Sequence, residues 1–330
     1  MSPIYSELRD ALLPRYDARE ARAVALLVLE DAFGVPRMDV YADKVRHFSE
    51  EERRRLQNIL QRLAAGEPVQ YVLGRAAFCG MNLRVTPATL IPRPETAELV
   101  DAAEALCEKI LETLHADHKP LQILDAGTGS GCIALALAQR LPDAKVEAWD
   151  ISSEALDVAR QNAAEQNIHI DFQQRDILDE AANCSTEPVN PSTYISDDEI
   201  KSISEKSSIS EAEIKSVSEK SSPHYHLIVS NPPYIAERER PDMAAHVLDY
   251  EPHTALFVPD DDPLRFYRAL AHIARRTLHP GGALAVEINQ AYGTETLQLF
   301  AATGFTSLTL LKDAFGRDRI VTARLPSTSA

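Results

Sequence analysis

Apolar residues recur at helical spacing through the first 75 positions of the chain. Asp17 is followed three residues later by Glu20, the signature of a helix N-terminus, and Val24, Leu27 and Val28 then form an apolar stripe. Ser49 and Glu52 repeat the signature. Leu56, Ile59, Leu60 and Leu63 follow at helical spacing, and Gly66 offers a stop. Residues 1–75 are therefore expected to form a small helical module. It carries no catalytic constellation, and its residues suit a structural cap as well as a partner-recognition domain.

From Ala76 the period changes. Ala76–Cys79 and Asn82–Thr86 flank Gly80-Met81 as a short hairpin, and residues 76–95 read as a linker. Pro92 and Pro94 exclude a helix interior between them. A helix can start at Glu95 and run towards Leu114. After Lys119 strands and helices alternate. Strands are expected at Leu121–Leu124, Lys145–Trp149, Ile168–Gln173, His226–Ser230, Ala283–Ile288, Thr306–Leu311 and Arg319–Leu325. Helices are expected at Gly131–Arg140, Glu154–Gln166, Pro263–Leu278 and Thr294–Ala302. This alternation predicts an α/β domain over residues 96–330, a doubly wound parallel sheet closing in an antiparallel edge hairpin.

One stretch breaks the alternation. Asn183–Pro223 holds twelve serines and few apolar residues, and Glu199–Ser208 returns nearly unchanged as Glu213–Ser222. Serine content and a repeat of only two copies predict a disordered surface insertion between the third and fourth strands, with no activity of its own. A loop there lengthens at small entropic cost.

Charge narrows the function classes. The net charge is −16. Residues 1–75 carry 12 basic and 12 acidic side chains, and Asn183–Pro223 carries 4 basic against 8 acidic, so −12 remains on the rest of the chain. A broad basic face for nucleic acid is not expected; an acidic surface around the pocket, suited to a partner protein with a basic face, is. Cys79, Cys107, Cys132 and Cys184 form no CxxC pair, so neither a disulfide framework nor a metal site is suggested, and a reducing compartment fits. The apolar run Ala23–Leu29 is short and flanked by Arg22 and Glu30. It suits neither a membrane span nor a signal segment, and the cytoplasm is expected.

Two motifs carry chemistry. Asp125-Ala126-Gly127-Thr128-Gly129-Ser130-Gly131 follows an apolar strand and opens a helix. Its glycines let backbone approach a ligand at a helix N-terminus. Position six from Gly127 is Cys132, so the dinucleotide pattern fails, and no Gly-Lys-Ser/Thr follows. A ligand without pyrophosphate fits better. Asp150 ends the second strand, where a carboxylate can take both hydroxyls of a ribose. Asp176, after the third strand, is placed for an adenine edge, with Ile177 as an apolar wall. The ordered set of Gly127, Thr128, Gly129, Ser130, Gly131, Asp150, Asp176 and Ile177 reads as an S-adenosylmethionine site.

The second motif is Asn231-Pro232-Pro233-Tyr234, directly after the strand His226–Ser230. The prolines stiffen the loop and leave the Pro232 carbonyl free to accept. The Asn231 side chain adds an acceptor and donors, and Tyr234 a flat face. Such a loop can take both hydrogens of an –NH₂ on a planar carbonyl or ring and aim the nitrogen at a methyl group.

With these motifs the sequence resembles the peptide chain release factor N5-glutamine methyltransferases (PrmC/HemK). The resemblance also rests on Pro68–Gly74, the Ile91–Thr96 segment IPRPET, Tyr250–Leu256 and Ala314–Arg319. It implies a class I S-adenosylmethionine-dependent methyltransferase fold of seven strands behind an N-terminal helical, substrate-recognising bundle. The implied substrate is the glutamine of the Gly-Gly-Gln loop of class 1 release factors. By position it implies that Gly127–Gly131, Asp150 and Asn231 bind cofactor and that Asn231–Tyr234 hold the glutamine amide. It also implies that IPRPET walls the pocket, with Arg93 and Glu95 as anchors. Ala97 and His253 depart from residues common in the family. A monomer acting without nucleic acid is expected. Because NPPY is shared with adenine-N6 nucleic-acid methyltransferases, that activity is the alternative.

Overall fold

The computed structural model describes residues 2–44, 47–113, 120–185 and 225–327. The first helices are α1 (Pro3–Leu12), α2 (Ala18–Phe33), α3 (Arg37–Tyr41), α4 (Glu50–Ala64) and α5 (Val69–Leu73). Both expected caps are made. The Asp17 carboxylate accepts the Arg19 and Glu20 amides, and Ser49 and Glu52 close a reciprocal capping box. Tyr5, Leu8, Val28, Leu29 and Leu63 form the centre of this bundle. Arg62 pairs with Glu67 and donates to the Tyr71 and Val72 carbonyls, which fixes the turn from α4 to α5.

The hairpin pairs β1 (Arg75–Phe78) with β2 (Met81–Arg84), Phe78 opposite Met81. Cys79 and Gly80 both have positive φ (47° and 80°), the geometry a two-residue hairpin turn demands. Met81 was expected in the turn; it is a buried strand residue instead, because the left-handed pair falls one position earlier. Next comes α6 (Pro94–Thr113), with proline in the first helical position, where its missing N–H is harmless.

The main sheet comprises β3 (Gln122–Ala126), β4 (Lys145–Asp150), β5 (Asp171–Gln174) and β6 (Tyr225–Ser230). A short parallel pair, β7 (Ile235–Ala236) and β8 (Phe257–Val258), intervenes before β9 (Leu278–Glu287), β10 (Thr306–Lys312) and β11 (Asp318–Arg324) complete the sheet. The order is β10-β11-β9-β6-β3-β4-β5, parallel except at β11. Alternate residues face opposite layers. Ile123, Leu227, Val229, Ala283 and Ala285 pack with α6, α7 (Cys132–Arg140) and α8 (Ser153–Gln166). Leu124, Ile228, Leu284 and Val286 face α9 (Ile177–Ser185) and, after α10 (Ala245–Tyr250), α11 (Arg265–Thr277) and α12 (Gly293–Ala302).

Several elements differ from expectation; the third strand, for example, is Asp171–Gln174 rather than Ile168–Gln173. β9 begins at Leu278, because the His279–Gly282 segment bulges within the strand: pairing passes from Tyr225–Leu278 directly to Leu227–Ala283. Helix α9 is an addition, and it takes in the first residues of the serine-rich stretch. The remainder of that stretch, including both repeat copies, lies outside the described residues.

The hairpin is clamped to the α/β domain by Asn162 of α8, which is fully buried. Its Nδ2 donates to the carbonyls of Arg84 (3.0 Å) and Ser130 (2.9 Å), and its Oδ1 accepts the Arg84 amide (2.6 Å). Outside this clamp, Arg75 and Arg84 pair with Glu165. Asn162→Ala leaves these backbone groups buried without partners. It is expected to lower stability by about 3 kcal/mol in urea unfolding; an unchanged midpoint would mean that the exposed ion pairs hold the hairpin instead.

Candidate active site

The carboxyl ends of β3 and β6 lie side by side, and both sequence motifs leave the sheet there. In the first, Gly127, Gly129 and Gly131 all take positive φ (79°, 56° and 81°). At Gly131 a Cβ would lie 3.2 Å from that of Ala159, so this glycine serves close packing of α7 on α8. The Gly127 and Thr128 amides both donate to the Trp149 carbonyl at 2.8 Å. Asp125 is fully buried beneath the loop. Its Oδ2 accepts Thr128 Oγ1 (2.6 Å) and the Ala134 amide (3.1 Å), and its Oδ1 has no partner. Burial pushes this carboxyl up to about 7, against the pull of those two donors.

Asp150 closes the loop from the neighbouring strand. Its Oδ2 accepts the Gly129 amide (2.8 Å) and its Oδ1 the Ser152 amide (2.9 Å), so the side chain is fixed while each oxygen keeps a lone pair for a ligand. Burial raises its pKa. Asp176 caps α9 through the Leu178 amide (2.7 Å), and Ile177 is buried against the chain at Gly127.

The second motif is locked to the first. Ser230 Oγ donates to the Ala126 carbonyl (2.6 Å). Beyond it, Asn231 Nδ2 donates to Thr96 Oγ1 (3.2 Å), and its Oδ1 receives no hydrogen bond among the described residues. The Pro232 carbonyl receives none either. Tyr234 donates its hydroxyl to Glu287 (3.1 Å), and Asn289 Nδ2 donates to the Tyr234 carbonyl (3.2 Å). The NPPY loop is thus held by side chains from α6 and from the end of β9.

These elements enclose a cavity of about 500 Å³. Gly127–Ser130, Asp150, Asp176, Ile177, Asn231 and Pro233 line it. Gly131, Pro232 and Tyr234 stand behind that lining. Ile91, Pro92, Arg93 and Thr96 supply the opposite wall, as the IPRPET reading expects. Arg93 is anchored: it pairs with the wholly buried Glu251 carboxylate, which also accepts the Ile91 amide. Glu95 makes no hydrogen bond or ion pair among the described residues, and the second anchor is Thr96, bonded to Glu287 at 2.8 Å. The wall also meets the helical bundle, because the Tyr71 hydroxyl donates to the carbonyl of cavity-lining Thr89.

Comparison with known proteins matches this architecture. A PrmC N-terminal domain family matches residues 7–74, and a methyltransferase small domain family matches 97–191. A release factor glutamine methyltransferase of Bacteroides thetaiotaomicron is 42% identical over 98% of this chain and 99% of its own length. The chain belongs to the release factor glutamine methyltransferase family. Two further relatives named release factor glutamine methyltransferase are those of Flavobacterium psychrophilum (36% identical, 94% of each chain) and Streptococcus pneumoniae (40% identical, 83% of this chain and 80% of the other). The chain is a methyltransferase of class I fold, and no helix among its described residues is long and apolar enough to cross a membrane.

Sequence reading missed Asn162, Glu251 and Glu287 as site supports. Signals were present for two of them. Glu287 is a lone carboxylate at the end of an apolar strand, and Asn162 is an amide on the otherwise apolar face of α8.

The buried Asp125 in this family member makes a pH prediction. Its folded pKa lies above the ordinary 3.8, so folding favours the protonated form. At low pH the group is neutral in both states. As pH rises from about 4 to about 7 the unfolded chain ionises first, and stability falls. Asp125→Asn keeps an acceptor for Thr128 and Ala134 without the charge. Its thermal midpoint is expected to gain on the wild type more at pH 8 than at pH 4; an equal difference at both would mean that folding leaves the Asp125 pKa unshifted.

Proposed function

We propose that this protein transfers a methyl group from S-adenosylmethionine to the side-chain amide nitrogen of the glutamine in the Gly-Gly-Gln loop of class 1 release factors. The observation that carries the reading is the pair of donor-free acceptors, Asn231 Oδ1 and the Pro232 carbonyl, beside a cavity that already contains Asp150 and the glycine loop. The family names support the same substrate.

The chain's residues fit the cofactor. The glycine loop offers backbone at close range to the amino-acid end. Asp150 is fixed by two amides with lone pairs left for ribose hydroxyls. Asp176 and Ile177 face the place of the adenine, and Phe266 adds an aromatic wall. When bound, S-adenosylmethionine supplies an electrophilic methyl on positively charged sulfur.

An amide nitrogen is a poor nucleophile because its lone pair is delocalised into the carbonyl. Asn231 Oδ1 and the Pro232 carbonyl would accept its two N–H groups, enrich the nitrogen and fix its direction of attack. The proton can leave after the nitrogen has gained carbon, so no strong base is required beforehand. Tyr234, fixed through Glu287, would offer its ring to the planar amide.

The release factor is met in the cytoplasm, in keeping with the free thiols of Cys79, Cys107 and Cys132. Ile235–Asp262, which follows NPPY, carries eight acidic and two basic side chains, which supports a partner with a basic face around its glutamine loop. The protein acts as a monomer and without nucleic acid.

Incubation with S-adenosylmethionine and a purified class 1 release factor is expected to add one methyl to the loop glutamine, read by peptide mass spectrometry. An unmodified glutamine would sink the proposal. Asn231→Ala is expected to reduce transfer at least ~100-fold with an unchanged melting curve. Asp150→Ala is expected to weaken cofactor binding by calorimetry.

A further inference from the structure

Glu287 ends strand β9, and the residue is 1% exposed. It has two hydroxyl donors, Thr96 on Oε2 (2.8 Å) and Tyr234 on Oε1 (3.1 Å). Burial raises its pKa, which Thr96, Tyr234 and the Arg319 charge oppose. Arg319 is itself held by Asp313. A buried carboxylate at this position is costly unless every lone pair facing protein is used. Neither donor is an isolated hydroxyl: Thr96 lines the cavity, and Tyr234 ends the NPPY loop behind that lining.

The order of donors sets a direction. Thr96 has a single hydroxyl proton and spends it on Glu287 Oε2. Thr96 Oγ1 can then only accept from its other neighbour, Asn231. The Asn231 amide therefore turns its NH₂ to Thr96 and leaves Oδ1 as the acceptor. Were the threonine proton free, the amide could rotate by half a turn and offer donors to an incoming –NH₂, which would repel it.

We propose that Glu287 is a positioning residue that acts through Thr96 to fix which end of the Asn231 side-chain amide faces the substrate. This rests on the reading of Asn231 as the group that grips the glutamine amide. Glu287 touches neither substrate nor cofactor in this arrangement. Through Tyr234 the same carboxyl group holds the far end of the NPPY loop, so one buried side chain sets both ends.

The test compares wild type with Thr96→Ser, Thr96→Val and Glu287→Gln in full-length protein. Kinetics are read as kcat and KM for the release factor, with calorimetric affinity for S-adenosylhomocysteine. Thr96→Ser keeps the relay and is expected within about twofold of wild type. Thr96→Val and Glu287→Gln are expected to lose about tenfold to 100-fold in kcat, with product affinity changed by less than about twofold. Asn-selective ¹⁵N labelling adds a readout independent of turnover: the Asn231 NH₂ signal, assigned by its loss in Asn231→Ala. That signal is expected to be retained in Thr96→Ser and to shift or broaden in Thr96→Val and Glu287→Gln. If it stays unchanged in both, or if kcat does, the relay is overturned. If wild type leaves the release-factor glutamine unmodified, the proposed substrate falls and the amide signal alone decides the relay.

Discussion

The parallel pairing of β3 with β6 sets the position of every group at the site. These strands are neighbours in the sheet but far apart in the chain, because the order reverses between them. The connection leaving β3 passes to one side and that leaving β6 to the other, so a crevice opens at their carboxyl ends. The glycine loop leaves from one lip and NPPY from the other. Ser230, bonding to the Ala126 carbonyl across the lips, prevents independent movement of the two. A shift in this register would separate a cofactor cradle from an amide grip that must meet within a bond length during methyl transfer.

The lips are supported by four carboxylates, each used differently. Asp125 lies under the glycine loop, where burial favours its neutral form. Asp150 is gripped by two backbone amides and stays beside the cavity. Glu251 holds the IPRPET wall by accepting from Arg93 and the Ile91 amide. Glu287 holds hydroxyls on two different elements. Apolar packing could fill the same volume, but it would not dictate hydrogen-bond direction. A site that must present acceptors rather than donors needs direction, and buried carboxyl groups with fixed partners supply it where water cannot reorganise the pattern.

Local signals were legible in the sequence and remote ones less so. Asp17 with Glu20 and Ser49 with Glu52 name their helices because a cap bonds within three residues. The two site motifs are contiguous, so the chemistry of each could be read from its own residues and the alternation around it. The Thr96–Glu287 bond joins residues 191 apart, and no periodicity records such a pairing. The hairpin turn slipped by one residue for a different reason: a cysteine at positive φ breaks the expectation that the left-handed pair is built from glycine. The β7–β8 pair was missed because strands of two residues carry no alternation.

The serine-rich connection also follows from sheet geometry. Helix α9 starts at the site edge of the sheet, where Ile177 lines the cavity, and runs back to Ser185 at the opposite edge. Strand β6 starts at that opposite edge with Tyr225 and delivers Asn231 to the site. Chain between Ser185 and Tyr225 is therefore attached where both elements are farthest from the chemistry. Lengthening a connection changes loop-closure entropy only logarithmically, and neither attachment point bears on the position of Asp176 or Asn231. The same number of residues between β6 and Asn231, or between Asp150 and α8, would separate groups that must touch. A long connection here is compatible with intact cofactor and amide motifs because the fold already divides a chemical edge from a permissive one.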